Sequence, residues 1–177
     1  MQRARESAAR MYADDQATKA LRISIDEIAP GRATARMRVT ADMTNGHGIA
    51  HGGYIFLLAD TAFAYACNSY GAVTVAQGGQ ITFLIPAREG DELTASAVER
   101  VRMERNGVYD ISVRRADGTI LAVPSPQAAC ETRASEPPAA RPASRAVAAA
   151  ALTAARVSSP MNMPRISPGV PARRIRA

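Results

Sequence analysis

Asp60 is the only charged residue in an apolar run of the 177-residue chain, GGYIFLLADTAFAYACNSYG. Leucines, alanines and aromatic residues surround this run on nearly all sides, which predicts a helix buried on most of its surface. A carboxylate buried there without partners would cost several kcal/mol, so Asp60 is expected to face a polar cleft or to have a hydrogen-bonding role. In such a cleft it activates water as a general base or attacks an acyl carbon itself, and the sequence leaves both routes open. The alternative is a helix-surface residue that faces solvent.

Gly52 and Gly53 are expected to directly precede this helix. Without side chains they let a substrate carbonyl approach the free N–H groups of the helix N-terminus, where the dipole favours negative charge. Such an arrangement is an oxyanion hole, and the loss of one donor typically costs about 2.7–4 kcal/mol of transition-state stabilisation. A simple helix entry turn explains the same two glycines. Gly53 and Asp60 lie two helical turns, about 10 Å, apart, so one helix is not expected to flank one carbonyl with both.

The elements around this helix are predicted from the period of the apolar residues. A first helix is expected from Glu6 to Ala20, and the strands LRISIDEIA and RATARMRVT alternate on either side of Pro30-Gly31, which predicts a hairpin. The later β-rich segments are separated only by the short turns PAREGD, RNG and ADG, so the sheet is predicted to be antiparallel. The predicted fold class is α+β, with an antiparallel sheet of five to six strands wrapped around one long central helix.

The net charge of +6 lies entirely in the C-terminal part of the chain. Residues 1–123 carry 14 basic and 14 acidic side chains, whereas residues 124–177 carry eight arginines, two glutamates and 9 of the 11 prolines. These ranges are therefore expected to be a neutral globular domain and an irregular, disordered tail. The charged N-terminus, the lack of an apolar run of about 18 residues and the low cysteine content predict a cytoplasmic protein with no membrane partner. No nucleic-acid partner is expected, because no aromatic residue lies between the C-terminal arginines for base stacking. No metal site is expected, because His47 and His51 lie in a glycine-bearing loop without a nearby cysteine or carboxylate.

The run N-G-x-x-x-x-H-G-G-x-x-x-x-x-A-D-T-A-F-A, from Asn45 to Ala64, resembles the motif of the PaaI-type hotdog thioesterases of phenylacetate catabolism, and the resemblance extends over roughly residues 5–123. It implies a hotdog fold and the hydrolysis of aryl- and hydroxyaryl-acetyl-CoA esters. CoA is then part of the substrate, and no cofactor is needed. The resemblance also implies that the Gly53 amide is the oxyanion donor and that Asp60 is the base or nucleophile.

The same resemblance implies an oligomer with its active site at the subunit interface. In the family's dimers two long helices meet, and each site takes its oxyanion donor from one subunit and its acid from the other. A homodimer, often paired again into a homotetramer, is therefore expected. Asn45 and His51 match the motif in the loop before the helix, where they would position water or the thioester.

Further residues are expected to help bind the substrate. Gly52 adjoins the oxyanion donor, and Thr61 is placed beside Asp60, where it could form a hydrogen bond in the same pocket. Arg102 and Arg105 end a strand near a turn, where they could meet the phosphates of CoA. The alternative for both arginines, which we favour, is that of ordinary exposed residues at a strand end.

The C-terminal part departs from the family pattern. The family closes its sheet with one more full strand, which TILAV begins here and Pro124 interrupts. Pro124 and Pro126 each remove a backbone donor, so the strand is not expected to continue as a central one, and a sheet edge would be exposed. Because the chain has 21 arginines and one lysine, we interpret residues from about 124 onward as a frameshifted end in a GC-rich gene. A genuine basic tail is the alternative.

The function predicted from these observations is hydrolysis of an acyl-CoA thioester, phenylacetyl-CoA or hydroxyphenylacetyl-CoA, to the free acid and CoA. Two alternatives stay open: a non-hydrolytic acyl-CoA-binding protein of the same fold, and an inactive product of a frameshifted gene. Asp60 argues against the first, because binding alone has no use for a carboxylate at the reacting centre. The oligomeric state tests the second, because loss of the dimer would dismantle a composite site.

Overall fold

The computed structural model describes residues 1–124 and 128–132. Its α-helices are α1 (Gln2–Asp14), α2 (Gln16–Ala20) and α3 (Gly52–Asn68), and a short 3₁₀ helix covers Ala41–Met43. Its strands are β1 (Ser24–Ala29), β2 (Arg32–Arg38), β3 (Thr74–Gly78), β4 (Ile81–Phe83), β5 (Glu92–Met103), β6 (Asn106–Arg115), β7 (Ile120–Pro124) and β8 (Ala128–Thr132).

The N-terminal helical segment is divided at Asp15. The sequence predicts one helix from Glu6 to Ala20, but Asp15 has φ −84° and ψ 89°, which is not helical backbone. Its carboxylate accepts hydrogen bonds from the backbone N–H of Thr18 at 3.0 Å and from the Thr18 hydroxyl at 2.6 Å. Asp15 therefore acts as the N-cap of α2, a role in which an aspartate side chain competes with continuous helix.

The hairpin predicted at Pro30-Gly31 is confirmed. β1 and β2 pair antiparallel, and Gly31 between them has a φ of +69°, in the left-handed region that glycine adopts at little cost. The predicted alternation of β2 is confirmed as well, because its alanines and methionine are buried while its arginines are exposed. The inward face of β2 is therefore part of the core.

The sheet is antiparallel throughout and has six strand positions. Its order is β1-β2-β5-β6-β7-β4. The last two positions are each shared by two strands: β7 and β8 both lie beside β6, and β4 and β3 lie outside them. Thus β6 pairs with β7 at one end and with β8 at the other, while β4 pairs with β7 and β3 with β8. The predicted sheet of five to six strands around one long helix is confirmed.

The central helix α3 fills the concave side of this sheet. It packs on β2, β5 and β6, and its Leu58, Phe63 and Tyr65 are buried. The ring of Phe63 meets that of Tyr109 on β6 edge to face, with centroids 5.3 Å apart. In the described part of the chain, no helix is long and apolar enough to cross a membrane.

The structure corrects the expectation that the sheet ends at Pro124. β7 does end there, but residues 128–132 form β8, which lies between β3 and β6 as a central strand. This segment, AACET, contains no proline, so its backbone can complete both ladders. Cys130 also fits beside Gly107, because its Sγ lies only 3.2 Å from the position that a Cβ on Gly107 would occupy. The predicted boundary at residue 123 is therefore too early for the sheet, and the rest of the predicted tail lies outside the described residues.

Candidate active site

The N-terminus of α3 is capped by the side chain of His51. Its Nδ1 accepts a hydrogen bond from the backbone N–H of Gly53 at 3.1 Å. A ring nitrogen that accepts carries no proton, so in this hydrogen bond the N–H of the imidazole is the one at Nε2. The N–H predicted as oxyanion donor is thus paired with His51 in the structure, which the sequence does not indicate.

A cleft of about 460 Å³ opens beside this helix end. Gly52 lies on one wall and the ring of Phe83 on the other, so close that a Cβ on Gly52 would be 2.9 Å from Phe83 Cζ. A side chain at this position would have to displace the ring, which gives Gly52 a packing role. The cleft is lined by Asn45, Ile49, Ala50, Gly52, Ile55, Phe83, Leu84, Ile85 and Pro86.

Asn45 shapes the loop that leads into α3. Its Oδ1 accepts from the backbone N–H of His47 at 2.9 Å, and its own backbone N–H donates to the carbonyl of Ile49 at 2.8 Å. A bridge between Thr44 and Ala50 closes the loop. The side-chain oxygen of Asn45 is therefore held by a backbone N–H, and Asn45 lines the same cleft as Gly52. Its role in positioning water or the thioester stays a prediction.

Asp60 lies in a second cleft, of about 260 Å³, between α3 and the outer strands. Its side chain is exposed at the mouth, yet burial by the apolar protein around it raises the pKa of the carboxyl above its ordinary value of 3.8. The two observations agree, because a group at the mouth of a cleft touches solvent while most of its surroundings are protein. The lining consists of Phe56, Ala59, Phe63, residues 76–81 and Ile111.

Gly53 and Asp60 lie on the same face of α3. Asp60 lines the second cleft, whereas Gly53 lines neither cleft and only adjoins Gly52, which lines the first. Seven residues correspond to almost two turns, so the two positions point in nearly the same direction about 10 Å apart. With Phe56 between them they form an exposed stripe on a helix that is otherwise largely buried. We call Gly53, Phe56 and Asp60 the α3 stripe. A single chain thus presents the predicted oxyanion donor and the carboxylate, but does not bring them together.

The other predicted binding residues lie away from both clefts. Thr61 is buried, with 8% of its surface exposed, and does not line the cleft of Asp60. The guanidinium of Arg102 stacks on the ring of Tyr70, 4.0 Å from its centroid. Arg105 donates from Nε to the carbonyl oxygen of Thr132 at 3.0 Å and forms an ion pair with Glu131. Both arginines therefore have structural partners, and their contact with CoA stays a prediction.

Sequence reasoning missed the contribution of the sheet edge to the Asp60 cleft. Gln77 and Gln80 bring amide groups to its wall, and the break between β3 and β4 falls at Gly79 and Gln80. The pair Gly78-Gly79 is the sequence feature that could have indicated this break in the sheet edge. It predicts a bulge, and the register of β3 against β8 does shift between Ala76 and Gly78.

Comparison with known proteins places this site in a family. A sequence profile described as the thioesterase superfamily matches residues 47–122. Acyl-coenzyme A thioesterase PaaI of Escherichia coli K12 is 50% identical over 108 residues, which are 61% of this chain and 77% of the relative. The range matched by the profile includes the segment that carries the two glycines and the carboxylate.

Solved structures share the fold. The E. coli PaaI protein from the phenylacetic acid degradation operon superposes with a TM-score of 0.73 at 42% identity, over 75% of this chain and 95% of that chain. A variant of the phenylacetic acid degradation protein PaaI from Thermus thermophilus superposes with a TM-score of 0.63 at 32% identity, over 67% of this chain and 100% of that chain. The chain therefore belongs to the thioesterase superfamily, as a PaaI-type thioesterase of the hotdog fold.

Proposed function

We propose that the protein hydrolyses arylacetyl-CoA thioesters, with phenylacetyl-CoA or hydroxyphenylacetyl-CoA as substrate, to the free acid and CoA in the cytoplasm. The observation that carries the proposal is the α3 stripe, which presents an oxyanion donor and a carboxylate of raised pKa on one exposed helix face. The name of the E. coli relative, an acyl-coenzyme A thioesterase, supports the reaction class.

A second copy of the chain completes the site in this proposal. The midpoint between Gly53 and Asp60 falls at Phe56 and Leu57, so each end of the stripe lies about 5 Å from it along the axis. A two-fold axis through this midpoint sets two α3 helices antiparallel and brings Gly53 of one copy against Asp60 of the other. Phe56, 41% exposed although apolar, would then be covered at the centre of the contact.

The outer edge of the sheet supports the same dimer. β3 and β4 occupy its last position, and Val75, Phe83, Leu84 and Ile85 are exposed along or just after them. An edge strand with free backbone groups and exposed apolar side chains is suited to pairing with another strand. Because the edge also walls the Asp60 cleft, a dimer formed there would close the cleft with residues of both copies.

The proposed chemistry uses Asp60 and Gly53 from opposite copies. As a base, Asp60 takes a proton from water, whose oxygen adds to the acyl carbon while the N–H of Gly53 binds the developing oxyanion. Collapse of this intermediate breaks the C–S bond, and the CoA thiolate takes up a proton. As a nucleophile, Asp60 itself adds to the acyl carbon and expels the thiolate, and water then hydrolyses the anhydride. Either route needs water and no cofactor.

The lining of the Asp60 cleft favours an aryl acyl group. Phe56, Phe63, Ile81 and Ile111 provide apolar and aromatic surface, against which a phenyl ring can pack edge to face. The amide of Gln80 is at hand on the cleft wall for a ring hydroxyl. In the proposed dimer this cleft would hold the acyl group beside the carboxylate.

The test is release of free CoA thiol from phenylacetyl-CoA, 3-hydroxyphenylacetyl-CoA and a medium-chain acyl-CoA. We expect turnover of the aryl esters by the wild type and a loss of at least about 100-fold in Asp60→Asn, which keeps the shape of the side chain. Asp14→Asn, at the exposed end of α1, is the matched control and should keep full activity. Binding without turnover by a folded wild-type dimer would indicate a non-hydrolytic acyl-CoA-binding protein instead.

A further inference from the structure

Two cysteines from distant parts of the chain share one small cavity. Cys67 lies in the last turn of α3 and Cys130 in β8, and they are 5% and 2% exposed. Both line a cavity of about 70 Å³ at the end of the sheet, together with Gly107 and Tyr109 of β6. Neither thiol has a part in the proposed hydrolysis, and both are free.

The two thiols have different surroundings. Interaction with the Cys67 thiol lowers the pKa of Cys130, and the N–H of Gly107 and the charge of Arg102 act in the same direction, while burial and Glu99 oppose them. Interaction with Cys130 and burial both raise the pKa of Cys67. Cys130 is therefore the first of the two to form the thiolate, which is the nucleophilic form of cysteine.

We propose that Cys67 and Cys130 are a peroxide-sensitive thiol pair that closes to an intramolecular disulfide between α3 and β8. The Cys130 thiolate attacks one oxygen of a hydroperoxide, the O–O bond breaks, and Cys130 becomes a sulfenic acid while the other oxygen leaves as water or an alcohol after protonation. The Cys67 sulfur then attacks the Cys130 sulfur and expels its hydroxyl as water. Overall, two thiols are oxidised by two electrons and one hydroperoxide is reduced.

The cavity selects the oxidant by size. A water molecule needs roughly 10–15 Å³ of such space, so about 70 Å³ admits hydrogen peroxide. A peptide disulfide such as oxidised glutathione is far larger and would have to unfold β8 to reach either sulfur. Because both cysteines are almost fully buried, large thiol reagents are also expected to react slowly with the folded chain.

In the experiment, the reduced full-length protein is treated with hydrogen peroxide and then unfolded in excess N-ethylmaleimide, which alkylates every remaining thiol. The mass of the intact protein is then measured by mass spectrometry. We expect the wild type to lose both alkylation sites together and to gain no oxygen. A cross-linked peptide containing Cys67 and Cys130 should be found after digestion without reductant, and dithiothreitol should restore both sites. Oxidised glutathione, supplied at the same number of oxidising equivalents, should remove the two alkylation sites at least 10-fold more slowly than hydrogen peroxide does.

Cysteine variants separate the two roles. Cys67→Ser should stop at a dimedone-reactive sulfenic acid on Cys130, whereas Cys130→Ser should react with peroxide at least 10-fold more slowly than the wild type. Two alkylatable thiols in wild type that persist under peroxide treatment would overturn the proposal, as would disulfides that form only between chains. Since the wild-type mass carries the main result, a variant that folds poorly does not decide the test.

Discussion

The Nδ1 of His51 accepts a hydrogen bond from the backbone N–H of Gly53, with 3.1 Å between the two nitrogens. The imidazole therefore binds the same N–H that the proposed reaction requires for the oxyanion. The contact stabilises the first turn of α3, since this N–H has no partner within the helix. A bound acyl oxygen must take the place of His51 at Gly53, so capping of the helix and binding of the substrate compete for one donor.

Two substitutions of His51 distinguish its capping role from a direct role in the reaction. His51→Ala removes the cap and should lower the free energy of unfolding by about 0.5–2 kcal/mol, whereas His51→Asn keeps a capping oxygen and should restore most of it. If the Nε2–H of His51 positions the thioester, both variants should lose kcat/KM to a similar extent. Full activity in His51→Asn would limit the residue to capping, and urea unfolding with steady-state kinetics measures the two effects.

Asp60→Asn should stabilise the fold above the pKa of Asp60. Because this pKa is raised on folding, the charged carboxylate is less favourable in the native chain than in the unfolded chain. The gain in the free energy of unfolding should be complete at neutral pH and should shrink as the pH falls through the pKa of Asp60 in the folded protein. It should vanish below 3.8, where Asp60 is protonated in both the folded and the unfolded wild type. Its size should stay below about 1 kcal/mol, because the carboxyl is exposed and screened at the cleft mouth.

Thermal unfolding of the wild type, Asp60→Asn and Asp14→Asn at several pH values measures this effect. Asp14, which is exposed at the end of α1, should show no comparable gain. A loss of stability in Asp60→Asn at neutral pH would mean that the carboxylate has a favourable partner in the folded protein.

The pH profile of kcat/KM should show an acid limb above 3.8. Asp60 acts as base or nucleophile only when it is ionised, and burial raises its pKa, so activity should rise with pH through that higher value. Far-ultraviolet circular dichroism over the same range shows whether the fold persists. The residual activity of Asp60→Asn should lack this limb. An acid limb at or below the ordinary value would contradict the proposed environment of the carboxyl.

Gly107→Ala should destabilise the protein by about 1–3 kcal/mol if β8 docks as described. The new Cβ would lie 3.0 Å from Cε2 of the buried Tyr109 and 3.2 Å from Sγ of Cys130. Gly78→Ala on the edge strand β3 is the control, since a Cβ there meets nothing within 4 Å. Cys130→Ala combined with Gly107→Ala should recover part of the loss. Equal stabilities of Gly107→Ala and Gly78→Ala would show that β8 does not lie against Gly107.

Patterns that repeat along the chain are predictable from the sequence. The alternation in β2 and the turn at Gly31 follow from local sterics, and a lone Asp60 in an apolar helix indicates a cleft because burial of an unpaired charge is costly. The motif around His51 and Gly53 likewise places the helix start to within two residues, because the glycines expected before the helix are its first two residues. These features depend on neighbours within a few residues or on a single large energy term.

Contacts between distant segments escape the same reasoning. The proline-rich composition after residue 123 predicts irregular chain and so gives no indication of the short strand β8. The position of β8 depends on Gly107, which has no side chain to displace Cys130. The ring of Phe83 that lies against Gly52 belongs to another element, so the sequence explains that glycine only as a turn or a substrate-binding position. The break at Asp15 is local, but the side-chain cap that causes it competes closely with helix propensity.

The central claim is that each site combines Asp60 of one copy with Gly53 of another, and mixed dimers test it most directly. Gly53→Pro removes the N–H in the first helical turn, where proline is best tolerated. Asp60→Asn removes the carboxylate, and each variant alone should be a folded, inactive dimer.

Doubly tagged heterodimers of Asp60→Asn and Gly53→Pro, purified after co-expression, are assayed for release of CoA from phenylacetyl-CoA. One of their two sites would contain both an intact Asp60 and an intact Gly53, so we predict roughly half the wild-type turnover per dimer. Heterodimers as inactive as their parents, beside an active wild type, would contradict the account and place the whole site within one chain.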